Sequence, residues 1–296
     1  MNVLSLFDGI SACRVALDKN NIKINKYYSS EIDKFAIEIS KKNYPDLIHL
    51  GNILNWENWK INYKNIDLVA AGFPCQSWSV YGKQKGDKTK NGMLFWVMCE
   101  VMKNVLKHNK DVKIFIENVK MKKEFEEYIT RILQKELKIN LDKYLIDSCL
   151  VSAQSRKRFY WTNIKGITQP EDKNINIESI LEKDSYETKD IAGQHYSLKT
   201  LDTIKNTNSI LCTHIGHSKQ YKNNVRKNKA YTLIASGPSG IIFENKKYRK
   251  FTELECERLQ GFSDNYTQGV SKNQRYKMIG NSWQVDTIRH MFKYLN

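Results

Sequence analysis

The chain contains no run of about 20 apolar residues that could span a bilayer, and its amino terminus lacks the basic stretch that opens a secretory signal. Asp8 interrupts the first apolar run instead. The expectation is a cytoplasmic protein with no membrane partner. Six cysteines, at positions 13, 75, 99, 149, 212 and 256, form no C-x-x-C pair and have no histidine at ligand spacing, so neither a zinc site nor a disulfide framework is expected, and no metal. There is no internal repeat. Acid is scarce: 32 Asp and Glu face 48 Lys and Arg, a net charge of +16. Such an excess suits a polyanionic partner, because Lys and Arg gain affinity by releasing counterions from phosphates. A merely basic surface is the plainer alternative.

What is present reads as alternating strands and helices. A chain of 296 residues suffices for one large α/β domain, or for one with a smaller lobe inserted. Residues 3–7 form a first strand, broken by Asp8-Gly9, and Ser11 is placed to cap a helix through Cys13, Val15, Ala16 and Leu17. A strand, glycine turn and helix bring backbone N–H groups close to a nucleotide-like ligand. Residues 27–31 read as a second strand ending in Glu31, roughly 20 residues after the turn, where a carboxylate can accept both ribose hydroxyls. Asp33 caps a helix that runs to Pro45, and residues 49–53 form a third short strand and turn.

The apolar run Asp67-Leu68-Val69-Ala70-Ala71 is a buried strand, and Gly72-Phe73-Pro74-Cys75-Gln76-Ser77 follows it. In an open α/β sheet ligands bind beyond the strands' carboxyl ends, so Cys75 is aimed at a site; an ordinary buried core thiol is the alternative. Residues 77–92 read as a basic loop, with Lys83, Lys85, Lys88 and Lys90 against Asp87, suited to closing over a phosphate backbone. A helix follows from Met93, then a buried strand at 112–116 ending in Glu117-Asn118-Val119, a helix at 125–137, and strands at 144–150 and 159–163. This alternation implies a parallel sheet.

In Gln154-Ser155-Arg156-Lys157-Arg158 the two arginines point the same way if extended, and a paired guanidinium seeks an anion. The pattern then breaks. Residues 166–198 carry seven acids and three bases, whereas residues 199–250 carry eleven Lys and Arg against two acids, in an irregular stretch that reads as a small separate lobe. Its charge gathers at Lys219, Lys222, Arg226, Lys227 and Lys229, before a turn at Ser236-Gly237-Pro238-Ser239-Gly240. Thr252 and Glu255 form a capping box, and a last helix follows Gly280-Asn281-Ser282-Trp283.

Taken in order, Phe7-Asp8-Gly9, Phe73-Pro74-Cys75-Gln76, Glu117-Asn118-Val119, Gln154-x-Arg156-x-Arg158, Arg258-Leu259-Gln260-Gly261-Phe262 and Gly280-Asn281-Ser282 resemble the motif series of the C5-cytosine DNA methyltransferases. The first motif and the carboxyl terminus are similar to the animal de novo branch in particular. The resemblance implies an α/β fold, the Rossmann-like class I S-adenosylmethionine-dependent methyltransferase, with a small inserted target-recognition lobe. It implies a catalytic and cofactor-binding domain over residues 1–165, a recognition domain over 166–248, and a segment at 249–296 returning to the first.

The same resemblance implies S-adenosylmethionine as methyl donor, S-adenosylhomocysteine as product, and double-stranded DNA as partner. Cytosine C5 is a weak nucleophile, so a thiolate must add at C6, and Cys75 takes that role. Glu117 would hold N3 and the exocyclic amine, and Arg156 and Arg158 the flipped base and its phosphate. For the cofactor, similarity places Phe7, Gly9 and Ile10 at the methionine end and Glu31 on the ribose. Ile32, Asn52 and Ile53 fall at the adenine, and Gly72, Pro74, Leu94, Asn281 and Ser282 around the sulfonium. Two departures are Ser11 for the usual second glycine and Asn52 for the usual acid. DNA contacts are expected from Gln76, Ser77, Lys83, Lys85, Arg226, Thr232, Ser236 and Gly237. A monomer acting beside a cognate restriction endonuclease fits this reading. The alternatives are a transfer-RNA C5-cytosine methyltransferase of the same family and a non-catalytic DNA-binding homologue.

Overall fold

A computed structural model describes residues 1–74, 90–183, 187–190, 198–207, 209–213, 225–235, 239–243, 245 and 247–295, without the side chains of 90, 91, 198, 199 and 201. It divides into two compact units. The first comprises Met1–Ile146, Lys157–Gln169 and Thr287–Asn296; the second comprises Asp147–Arg156 and Pro170–Asp286.

The first unit is a seven-stranded sheet in the order β3-β2-β1-β4-β5-β7-β6, built from β1 (Asn2–Leu6), β2 (Lys26–Ser30), β3 (Ile48–His49), β4 (Leu68–Gly72), β5 (Lys113–Val119), β6 (Asp142–Asp147) and β7 (Lys157–Thr162). Helices α1 (Ala12–Asp18), α2 (Lys34–Asn43), α3 (Lys90–His108) and α4 (Lys123–Leu137) connect them. α3 starts at Lys90, ahead of the expected Met93, so the end of the basic stretch is helical. Strands β1, β2, β3, β4 and β5 pair in parallel. β7 runs antiparallel to β5, which corrects the expectation of a parallel sheet throughout. The nine residues between β6 and β7 are too few for a helical crossover, which parallel neighbours require.

The central strand explains itself from its composition. Leu68, Val69, Ala70 and Ala71 are fully buried, as a strand covered on both faces must be, and its small alanines let helices approach closely. Leu4, Leu6, Val69, Phe95, Met98, Met102, Ile114, Ile116, Ile129, Leu133 and Trp161 share one core, each large side chain contributing roughly 1.5–3 kcal/mol on burial. The chain's last residues belong here as well. Phe292, near the end of helix α8 (Val285–Phe292), is 1% exposed and meets Phe115 edge-on, with ring centroids 4.9 Å apart.

The second unit is more regular than its sequence suggests. A five-stranded sheet in the order β10-β9-β11-β12-β8 joins β8 (Lys189–Asp190), β9 (Leu211–Thr213), β10 (Val225–Lys227), β11 (Gly240–Ile242) and β12 (Lys247–Lys250), with α5 (Leu198–Lys205) beside them in sequence. These strands have three or four residues or fewer, below the length at which periodicity is readable. Helices α6 (Glu253–Gln260) and α7 (Lys272–Asn281) complete the unit, and α6 has the expected capping box of Thr252 and Glu255. The division differs from the expected boundaries at 165 and 248. Residues 147–156 and 249–286 pack into the second unit, because Gln154, Arg156 and Gln260 direct their side chains to its backbone.

Removing the Phe292 ring leaves a cavity against Phe115. Phe292→Ala should cost about 3–5 kcal/mol and lower the urea midpoint, measured by circular dichroism. A midpoint equal to the parent's would mean that the carboxyl-terminal helix adds nothing to this core.

Candidate active site

The turn after β1 is the most constrained backbone in the first unit. Phe7, Gly9 and Ser11 all have positive φ, at 57°, 58° and 59°. For residues with a side chain this costs of order 1–3 kcal/mol, so surrounding contacts must hold it. Asp8 supplies them. Its buried carboxylate accepts hydrogen bonds from the Ser11 hydroxyl at 2.6 Å, the Tyr27 phenol at 2.7 Å and Ser29 at 2.8 Å. Ser11 therefore makes no cap for α1, contrary to expectation; its hydroxyl is taken by Asp8. The Ser40 hydroxyl, from α2, donates to the Gly9 carbonyl. Asp33 caps α2 as expected, accepting from the Phe35 amide.

Glu31, at the end of β2, faces this turn. Its carboxylate accepts from the backbone amides of Gly9 at 2.8 Å, Ile32 at 2.8 Å and Asp33 at 2.9 Å. A carboxylate offers about four acceptor positions, so one remains for a further donor. Binding two ribose hydroxyls requires it to release one amide. Beyond β3, Asn52 accepts from the Leu54 amide, which leaves its oxygen a second lone pair. Ile32 is 70% exposed and Leu54 52%, whereas Ile53 is 4% exposed and packs in the core. The exposed apolar surface just after β2 and β3 thus belongs to Ile32 and Leu54. Ile10 is buried, and Leu94 is half-buried against the core. A Cβ added at Gly9 or Gly51 meets no atom within 4 Å, so both glycines border open space.

The second cluster lies where β4, β5 and β7 meet. Gly72 pairs with Glu117 across β4 and β5, and Glu117 pairs with Tyr160 across β5 and β7. Glu117 Oε1 lies 2.9 Å from Nε of Arg158, each side chain being 11% exposed. Next to it, the Asn118 amide donates to the Phe73 carbonyl at 3.1 Å and its oxygen accepts from the Val119 amide. Asn118 thereby ties down the backbone immediately before the half-buried Pro74. Cys75, Gln76, Ser77, Lys83, Lys85, Ser236 and Gly237 lie outside the described residues.

In the second unit the expected roles shift. Arg156 is 4% exposed, and its guanidinium donates to the carbonyls of Leu233 at 3.0 Å, Gly280 at 3.3 Å and Ser282 at 2.8 Å. This corrects the expectation that it joins Arg158 on an anion, because those donors are engaged with backbone. Lys229, expected among the basic residues facing a polyanion, also points inward, donating to the carbonyls of Cys149, Ser152 and Ile175 at 2.6–3.0 Å. Arg226 keeps a half-exposed position on β10 with its guanidinium 3.8 Å from the Tyr231 ring centroid. The Thr232 hydroxyl donates to the Ser155 carbonyl. Asn281 is exposed, and Ser282 is buried. Both belong to the second unit, whereas the other cofactor candidates belong to the first.

The Asp8 cluster and the inward turn of Lys229 escaped the reading of the sequence. A signal existed for Asp8, since a charge inside an apolar run must find donors, and Ser5, Ser11 and Ser29 supply hydroxyls nearby. Lys229 had no such signal. Among the described residues no group of three or more His, Cys, Asp or Glu could hold a metal ion, and no helix is long and apolar enough to cross a membrane.

Comparison with known proteins adds relatives along the whole chain. A family model described as C-5 cytosine-specific DNA methylase matches residues 1–296. The Type II methyltransferase M1.ScrFI of Lactococcus lactis subsp. cremoris is 31% identical, over 97% of this chain and 75% of that one. M.HhaI of Haemophilus parahaemolyticus, another Type II methyltransferase, is 26% identical over 98% and 93%. Two solved structures share the fold: Spodoptera frugiperda DNMT2, as a mutant, with a TM-score of 0.66 at 20% identity, covering 99% of each chain, and the Entamoeba histolytica methyltransferase EhMeth, with 0.67 at 22%, covering 100% and 97%.

Burial pushes the Asp8 carboxyl above its ordinary value of 3.8, against the hydroxyls that stabilise its anion. The folded chain then keeps a proton that the unfolded chain releases first, so this group's contribution to stability declines as pH rises from the unfolded value to the raised folded one. Asp8→Asn does not titrate. Its urea midpoint relative to the parent should rise with pH across that window, and a constant difference from about pH 4 to 7 would contradict the raised carboxyl.

Proposed function

The chain belongs to the C-5 cytosine-specific DNA methylase family and is a DNA cytosine-5 methyltransferase; from that premise we propose how its own residues carry the reaction. The observation that carries the proposal is the Glu117–Arg158 pair, set opposite Gly72 with Asn118 holding the Phe73 carbonyl, just ahead of Pro74-Cys75.

Cys75 adds as thiolate to C6 of a cytosine turned out of the duplex, since C5 and C6 are inaccessible in the stack. Electron density moves through the ring to C5. Glu117 holds N3 and the exocyclic amine and supplies a proton to N3, while Arg158 keeps the Glu117 carboxyl oriented and faces the same base. S-adenosylmethionine, when bound, supplies the methyl group as electrophile at C5. The C5 proton then passes to solvent, the C6–S bond breaks to release the Cys75 thiolate, and N3 returns its proton to Glu117, which restores the neutral aromatic ring. The turns after β1, β2 and β3 fit this cofactor: Gly9 and Gly51 border open space, Glu31 has an acceptor position left, and Ile32 and Leu54 offer exposed apolar surface for a purine. Phe7, Gly9 and Glu31 hold the methionine and ribose ends, with Asn52 at the adenine.

The basic strand β10 and the residues after it read the DNA sequence, through Arg226 stacked on Tyr231 and through Thr232, Ser236 and Gly237. The Type II names of the relatives support a modification enzyme with a cognate endonuclease.

Sequencing methylated cytosines after expression in a methylation-free host tests the activity, and incubation with a transfer RNA in place of duplex DNA tests the alternative substrate. DNA bearing 5-fluorocytosine should trap a denaturation-resistant complex when cofactor is present, because fluorine cannot leave C5. Cys75→Ser should abolish that complex. A trapped adduct that survives Cys75→Ser but is lost on replacing another cysteine would assign the nucleophile elsewhere. Separately, Glu31→Gln should weaken S-adenosylmethionine binding by about 1–2 kcal/mol in calorimetry while DNA affinity measured without cofactor stays at the parent's value. Unaltered cofactor binding would remove Glu31 from the site.

A further inference from the structure

One polar network in the second unit joins two motifs far apart in sequence. Gln154 accepts from the Leu233 amide at 2.9 Å and donates to Gln260 Oε1 at 2.9 Å. Gln260 in turn donates to the carbonyls of Ile279 at 2.8 Å and Ser282 at 3.1 Å. Arg156 spans the same gap directly, from the Leu233 carbonyl to those of Gly280 and Ser282. The Thr232 hydroxyl binds the Ser155 carbonyl between them, and Ala230 pairs with Ala153 and Ser155 through backbone hydrogen bonds at 2.6 and 3.0 Å. The loop that carries Gln154 and Arg156 is itself set by Asp147, which accepts from the Cys149 and Arg156 amides and from the Ser155 hydroxyl.

Close packing reinforces these bonds. A Cβ at Gly280 would lie 2.5 Å from the Ile234 carbonyl carbon and 2.7 Å from the Ala235 amide nitrogen, so the segment 232–235 lies directly on the Gly280 backbone. Only glycine permits that approach.

We infer that Gln154 and Arg156 are positioning residues: they hold the segment 232–235, which follows Arg226 and Tyr231, against the Gly280–Ser282 turn, and so determine how sharply DNA sequence is discriminated. A loosened segment leaves the reacting groups on β5 and β7 unchanged but lets the reading residues shift. The inference rests on the proposed DNA-reading role of the residues from Arg226 onward. It separates two arginines only two positions apart, Arg158 beside Glu117 and Arg156 on carbonyls.

The test compares Arg156→Lys, Gln154→Leu and Gly280→Ala in the full chain, on a library of duplex DNA with every single-base change in the methylated site. Arg156→Lys keeps the charge and Gly280→Ala leaves every charge and hydrogen-bonding side chain in place, so a folding failure of one does not remove the others. The parent's methylation profile reports on the proposed function, and the difference between variants and parent reports on the positioning role. The expected result is a shared phenotype: the ratio of cognate to single-mismatch methylation falls and DNA KM rises, each about tenfold, the loss of roughly one charge-assisted hydrogen bond. The single-turnover rate at saturating DNA and cofactor stays within about threefold of the parent. The inference is overturned if Arg156→Lys alone slows single turnover equally at every sequence while DNA KM and discrimination match the parent, since that is the behaviour of a group touching the base.

Discussion

A charged or polar side chain at the end of a buried strand must be satisfied where it stands, and the first unit is arranged around that requirement. In a sheet whose first five strands run parallel, the carboxyl ends collect on one edge, and four of these ends carry a polar group. Asp8 follows β1, Glu31 follows β2, Asn52 follows β3, and Glu117 with Asn118 closes β5. Leaving any of these unpaired in the interior would cost several kcal/mol, so hydroxyls, amides and one guanidinium converge on them. The hydrogen bonds that satisfy Asp8 also hold three positive-φ residues in five, and those that satisfy Glu31 bind the Gly9 turn to the second strand. The shape of this edge of the sheet is a by-product of that satisfaction.

The second unit solves the converse problem. Backbone carbonyls in its loops and at its helix ends are served by long cationic or amide side chains that reach in to them. Lys229 serves three carbonyls, Arg156 three, and Gln260 two. Elsewhere in the same unit, acids do the matching work for cations and amides. Arg249 forms two bonds of 2.7 Å to Glu255, and Glu257, fully buried, accepts from the Thr267 amide and from Arg275. Such groups look from composition like surface charge for a polyanion. In the fold they are connectors, and the positive charge left for DNA is smaller than the sequence total implies.

Both arrangements divide neighbouring residues between different tasks. Asn118 steadies the carbonyl of Phe73 ahead of Pro74, and Glu117 beside it faces Arg158, so neighbouring residues on one strand divide between holding the backbone and pairing with a cation. Arg156 and Arg158 divide likewise. Successive residues of an extended segment point to opposite faces, whereas these two share a parity, so the division comes from the chain leaving the second unit at Arg156 and entering β7 at Lys157.

The sequence by itself determined what depends on near neighbours: the buried strand before Gly72, the alternation of strands with helices, the Asp33 cap, the capping box at Thr252 and Glu255, and the motif order that identifies the family. Those features follow from local geometry, with partners within a few positions. Only the tertiary structure decided the reversed β7, the loss of the Ser11 cap to Asp8, and the inward turn of Arg156 and Lys229. The partners of the two cations lie far along the chain, Leu233 at 77 positions and Ser282 at 126 from Arg156, and Ile175 at 54 from Lys229. A cation on a polar stretch has the same sequence signature whether it meets solvent, phosphate or a buried carbonyl. The fold selects among them by bringing unpaired carbonyls within reach, where leaving them unbonded costs more than withdrawing the charge from water.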